Sequence, residues 1–287
     1  MSLRQLPWAL WRAQILAILR LEVRKTFFTR RGLWIYFLAF GPVVLYAAHS
    51  FVQLKHGGRG DLGDDTHIFA TVFQFFFLRL AIFFGCVGIF ANLFRGEVVE
   101  KSLHYYFLTP LRREVLVVGK FLSGLLAAAV IFGSSTLLQF VALYCYFSSN
   151  TLQEFLYHGH GLAHLAAYLG VTLLACLGYG SVFLAAGLLF RNPLIPTLVV
   201  LVWEAVNGFL PALLQKISVI FYLKSLCPVG ISESVTAERG SLLALIAVNP
   251  TPASPAAAIL GLLILCVAVL ALSSLQVRRM QIDYGTD

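Results

Sequence analysis

Charge is what this sequence has least of. Asp, Glu, Lys and Arg make up 12% of its 287 residues, where a soluble domain carries about 25%. Hydrophobic residues reach 59% and mean hydropathy is +0.85. A soluble core of this size could not hide so much apolar surface, so the composition predicts a polytopic membrane protein. Acidic residues are the scarcer sign, 13 against 21 basic, for a net charge of +8. Seven of the Lys and Arg fall in the first 31 residues, next to apolar runs. That placement points to anionic lipid and away from nucleic acid.

Other absences narrow the function. The five cysteines, Cys86, Cys145, Cys176, Cys227 and Cys266, form no C-x-x-C pair. They read as small buried hydrophobes, with neither disulfide nor zinc expected. There is no GxxxxGK[ST], and Gly119-Lys120 is followed by Phe121, so no phosphate-binding loop is present. No HExxH and no pair of carboxylates lies within an apolar run. The chain is therefore not expected to be an enzyme, and no metal or cofactor is assigned to it. Its opening, MSLRQLPWALWRAQILAILRLEVRK, has no uninterrupted apolar stretch and no small-residue cleavage site, so a cleavable signal peptide is not expected.

What is present is a series of long apolar runs. A spanning helix needs about 20 mainly apolar residues. The runs predict six, at about 33–54, 68–94, 121–147, 164–190, 194–214 and 256–276. Their length and continuity predict helices, not strands. Six spans put both termini on one side. Lys and Arg concentrate on that side, with seven in the N-terminal segment and five between 95 and 120. The bias predicts that both termini and the 95–120 loop are cytoplasmic. Ahead of the first span, Arg12, Arg20, Arg24, Arg30 and Arg31 share an arc of about 120° on a helical wheel. Trp8, Trp11, Ile15, Ile18 and Leu19 fall opposite, a side that Glu22 and Lys25 interrupt. The pattern predicts a helix over 8–31 lying in the membrane interface.

The loop RGEVVEKSLHYYFLTPLRREVLVVGK (95–120) is too rich for a simple connection. EVVEKSLHYYFL suits a short helix, and Thr109-Pro110 ends it, because the residue before proline avoids the α region. Thr109 can cap a second helix with Pro110 at its first position. The bent unit carries acids, bases and the aromatics Tyr105, Tyr106 and Phe107. Spacing alone leaves two readings open: a docking site for another protein, or aromatics resting at headgroup level.

With its interfacial helix, six spans and this loop after the second span, the chain resembles the ABC-2 type permease family, the membrane subunits of ABC exporters. The family pattern is an acid after the second span, a Leu–Pro–Arg step, then Gly-Lys opening the third span. Here it reads Glu97/Glu100, Leu108-Thr109-Pro110, Arg112/Arg113 and Gly119-Lys120. The resemblance implies an all-α membrane protein, a single permease domain over 1–287 forming half of a translocation pathway. It implies a coupling helix between the second and third spans that docks on a separate ATP-binding subunit through Glu97, Glu100, Lys101, Tyr105, Pro110 and Arg112. ATP and Mg would sit on that partner. A second permease copy, or a related permease, would complete the pathway in the bacterial inner membrane. A non-transporting scaffold or assembly factor, or an intramembrane enzyme, are the rival readings.

Two charges fall inside predicted spans. Arg79 and Glu204 would each cost about 2.5–3.5 kcal/mol unless paired or facing water. They could pair with each other. Alternatively Arg79, Trp203, Glu204 and Asn207 line the route or a dimer interface, since Asn207 lies one helical turn beyond Glu204. Outside the spans, HGGRGDLGDDTH (56–67) reads as a solvated turn. In HGHGLAH (158–164), His160 and His164 stand four apart but no carboxylate or Cys lies close, which leaves metal binding by His158, His160 and His164 open. In 215–255, SVIFYLKSLCPVG is apolar enough for a short helix that dips into or lies on the membrane.

Overall fold

The long apolar runs become long helices because a backbone in hydrocarbon can satisfy its own hydrogen bonds only that way. The structure is a computed structural model and describes residues 8–28, 32–57, 60–99, 108, 112–190, 192–207, 212–230 and 253–279. Every described element is helical. Helix α1 (Trp8–Phe28) precedes α2 (Leu33–Lys55). Then comes one unbroken rod: α3 (Leu62–Val72), a π-helical stretch Phe73–Ile82, α4 (Phe83–Cys86), a second π stretch Val87–Ala91, and α5 (Asn92–Val99). Helix α6 (Arg113–Tyr144), the short α7 (Ser149–Tyr157) and α8 (Gly161–Leu189) follow. The rest is α9 (Leu194–Val206), α10 (Ala212–Gln215), α11 (Val219–Leu226) and α12 (Pro255–Arg279).

Five of these are long and apolar enough to cross a membrane: α2, the α3–α5 rod, α6, α8 and α12. Their faces divide as a bilayer would require. In α2 the buried residues are Ile35, Ala39, Pro42, Tyr46 and Ser50, a stripe at helical spacing. Phe37 on the other side is 79% exposed. The rod is the centre of the bundle. Its Phe69, Phe73, Phe77, Phe83 and Phe90 are almost fully buried, and successive rings meet along it, Phe69 stacked on Phe73 at 5.9 Å and Phe73 tilted against Phe77 at 5.5 Å. Helix α8 closes against the rod where Gly187 faces the Ala91 carbonyl oxygen, a place no Cβ could occupy.

The helix directions follow from their ends. Asp65, Tyr146 and His49 meet at one end. The 98–112 loop roots define the other, the loop end. Helix α8 runs toward the loop end, since Gly187 meets Ala91 there. Helix α12 does too, since the Val277 carbonyl accepts from Arg113 Nη1 at 3.0 Å. The chain between them must therefore return. Helix α11 ends at the far end, where Ala253 N–H donates to Ser225 Oγ and Gln74 Nε2 donates to Val229 O.

Two expectations are narrowed. Within 194–214 the described helices are α9, with 13 residues, about 20 Å at 1.5 Å per residue against about 30 Å of hydrocarbon, and the start of α10, which begins at Ala212. Asn207, next after α9, donates from Nδ2 to the Gln215 carbonyl at 3.4 Å. The described apolar side of α1 also faces protein. Helix α1 packs along α6, with Ile18 6% exposed and seated over Gly119, where an added Cβ would stand 3.0 Å from Ile18 Cδ1.

Candidate functional site

The roots of the 98–112 loop are bolted together by charge. Lys120 lies two turns into α6 and is completely buried. Its Nζ donates to Glu22 Oε1 at 2.7 Å and to the Leu93 carbonyl at 2.7 Å. It also forms an ion pair with Glu97 Oε1 at 2.8 Å, and it stands 5.3 Å from the centre of the Phe94 ring. Lys25, half-exposed, approaches the same Glu97 oxygen at 3.8 Å. One ammonium thus joins α1, α5 and α6.

The cluster explains the residues that interrupt the apolar side of α1. Glu22 lies on the same face as Ile18 and is 4% exposed, because its charge is answered by Lys120. Two more contacts spread from the start of α6. The Arg112 guanidinium lies 5.1 Å from the Trp11 ring centre on α1, and Arg113 reaches Val277 O on α12. The loop covalently joins only α5 and α6, yet side chains tie it to α1 and α12 as well.

Of the residues expected to couple to a partner, Glu97 is inside this cluster, 4% exposed, and Arg112 is exposed beside Trp11. Glu100, Lys101, Tyr105 and Pro110 lie outside the described residues. Leu108 is described and is 78% exposed. Sequence reasoning missed Lys120, Glu22 and Arg113 as a set. The available signal was Lys120 standing between the apolar stretches VLVVG (115–119) and FLSGLLAAAV (121–130).

The charged residues within the apolar runs, Arg79 and Glu204, are handled differently. Glu204 on α9 is buried and caps α11: Oε2 accepts from Ser218 Oγ at 2.6 Å and from Ile220 N–H at 3.1 Å, and Oε1 accepts from Val219 N–H at 3.0 Å. A carboxylate fits there because the first N–H groups of a helix lack internal partners and carry partial positive charge. The Arg79 charge also acts on Glu204, and its guanidinium lies 5.3 Å from the Phe75 ring centre. Asn207 is buried beside Glu204's helix face and Trp203 is half-buried. The structure thus brings Arg79, Glu204 and Asn207 to one level of the bundle and adds Ser218, which the sequence did not suggest.

At the end away from the loop, buried Asp65 receives His49 Nε2 at 3.2 Å and the Tyr146 hydroxyl at 2.5 Å. Burial, then the bond to Asp65, pushes the Tyr146 phenol up. Among the described residues no group of three or more His, Cys, Asp and Glu could hold a metal ion. No protein-family model matches the chain, and no curated protein matches it.

Proposed function

We propose that this chain is the membrane permease subunit of an ABC-2 type exporter, forming half of a translocation pathway and driven by a separate ATP-binding subunit. The observation that carries the reading is the Lys120 cluster. A loop that only joined two helices would need no buried ion pairs at its roots. A loop that receives mechanical work does, because force applied to 98–112 reaches the bundle only if both roots are fixed to it. The resemblance in Glu97, Leu108-Thr109-Pro110, Arg112/Arg113 and Gly119-Lys120 supports the same reading.

In this proposal the loop lies in the cytoplasm with both termini, and Glu100, Lys101, Tyr105, Pro110 and Arg112 meet the partner. Glu97 acts one layer behind them, through Lys120. ATP and Mg bind to the partner, and a second copy or a related permease completes the pathway in a bacterial inner membrane. The chain crosses six times: five long helices, and a sixth crossing assembled from α9 and α11, stitched at Glu204. The sum of 13 and 8 residues gives about 32 Å of helix at 1.5 Å per residue, close to the hydrocarbon thickness.

Affinity purification from native membranes tests this. The tagged chain should bring down an ATP-binding protein whose ATP turnover copurifies, and Glu100→Lys should reduce its recovery. Recovery of the chain with no ATP-binding protein would overturn the proposal and favour a scaffold.

A further inference from the structure

The Lys120 cluster is a poor choice if stability were all it served. Taking one ammonium and two carboxylates out of water costs several kcal/mol per ion before their attraction repays it, and an apolar set of similar volume is often at least as stable. In some systems buried ions also fix the geometry between the elements that carry them. Here the elements are α1, α5 and α6, and the only covalent link among them at this end is the loop from α5 to α6. Glu22 is 98 residues from Lys120 in sequence. Along α1, Ile18 also packs on Gly119 and Trp11 lies against the Arg112 guanidinium, contacts without a buried ion pair. The Glu22–Lys120–Glu97 contacts, at 2.7 and 2.8 Å around a fully buried ammonium, are the buried ionic link between α1 and the loop roots.

Resting on the reading of 98–112 as the element that receives work, we infer that Lys120 is a positioning residue that makes α1 a moving part of the loop. Displacement of the loop roots is delivered to α1 through Glu97, Lys120 and Glu22. The Arg113 bond to Val277 delivers the same displacement to α12. Helix α1 is then a lever along the bundle and not a passive float in the membrane interface.

Paired nitroxide labels read this directly. Cysteines replace Arg20, exposed on α1, and Leu108, exposed in the loop, after Cys86, Cys145, Cys176, Cys227 and Cys266 are removed. The full chain is purified into lipid nanodiscs and the distance distribution is measured by pulsed electron resonance. The unsubstituted cluster should give one narrow distribution. Lys120→Arg should keep it. The apolar triple Lys120→Met, Glu22→Leu, Glu97→Leu removes all three charges, so it leaves no buried ion unpaired and should fold. It should nevertheless lose the single narrow distribution. A second label pair at the opposite end, Tyr157 with Ala256, both exposed, should be unchanged and reports on folding. A narrow, unshifted distribution in the triple variant would overturn the inference.

Complex recovered with its ATPase adds a second arm. Nucleotide-dependent shifts should appear at both Leu108 and Arg20 without the triple substitution, and at Leu108 alone with it. A shift at Arg20 that survives the triple substitution overturns the lever while leaving the permease reading intact. Absence of any copurifying ATPase overturns the permease reading while the distances in the isolated chain still decide whether the cluster fixes α1.

Discussion

Lys120 donates to Glu22 at 2.7 Å across the contact between α6 and α1, and Glu97 stands on its other side at 2.8 Å. Each of the three residues is placed badly by local rules: an acid on an apolar helix face, a lysine inside an apolar run, an acid at the end of the central rod. Together they are consistent.

That consistency makes single substitutions worse than the triple. Lys120→Met leaves Glu22 and Glu97 buried as like charges, and removing one partner of a buried pair typically costs about 3–5 kcal/mol. Melting of the detergent-solubilised protein should fall markedly for Lys120→Met and be largely restored in the apolar triple. A triple variant as unstable as the single one would show that the charges act independently.

Glu204 and the start of α11 give a local prediction. Hydrogen bonds to a charged group contribute about 1.5–3 kcal/mol each, and Glu204 accepts three. Hydrogen-exchange mass spectrometry on peptides covering 216–226 should show faster exchange in Glu204→Ala, with Ser218→Ala intermediate. Exchange in 113–144 should not change, because the carboxylate's bonds described above all go to Ser218 and the first turn of α11.

Gly187 tests the α8 contact with the rod. A Cβ there meets the Ala91 backbone, which cannot rotate away. Gly187→Val should cost about 1–3 kcal/mol by overpacking, seen as a lower melting temperature and aggregation on size-exclusion chromatography. Gly133→Ala, where nothing lies within 4 Å, is the matched control and should behave as the parent.

Alkaline pH should weaken the end away from the loop. The Tyr146 phenol is pushed up from its ordinary 10.0 by burial, by its bond to Asp65 and by that carboxylate's charge. The unfolded chain therefore releases this proton first. The contribution is fully present below pH 10.0 and is lost as pH rises toward the higher folded value. Melting temperature should fall less steeply above pH 10.0 in Tyr146→Phe, which has no such proton.

Much of the bundle was legible in sequence because a membrane demands long apolar runs. The runs at 33–54, 121–147 and 164–190 sit inside α2, α6 and α8 with only their ends displaced, chiefly at α6, which begins at Arg113 before its apolar stretch. The central rod begins at Leu62, earlier than the apolar count at 68, since Asp64 and Asp65 suit a first helical turn. Of the run at 194–214 the structure describes α9 and the start of α10, and hydropathy does not register how α9 meets α11. The bond from Asn207 to Gln215 and the capping of α11 by Glu204 are contacts between segments. For the same reason Glu22 and Lys25 looked like flaws on an amphipathic helix. Their partners are Lys120 and Glu97, far along the chain and invisible to a helical wheel. The sequence patterning placed Arg79 and Glu204 in the apolar interior, but not the helix terminus that receives the carboxylate.

The most direct test of the account places a photo-crosslinking amino acid at Leu108, irradiates intact membranes and identifies the adduct by mass spectrometry. The account predicts one dominant adduct with a cytoplasmic protein that carries a nucleotide-binding motif, diminished by Glu100→Lys. An adduct with a protein from the outer side of the membrane, or none but lipid, would contradict it.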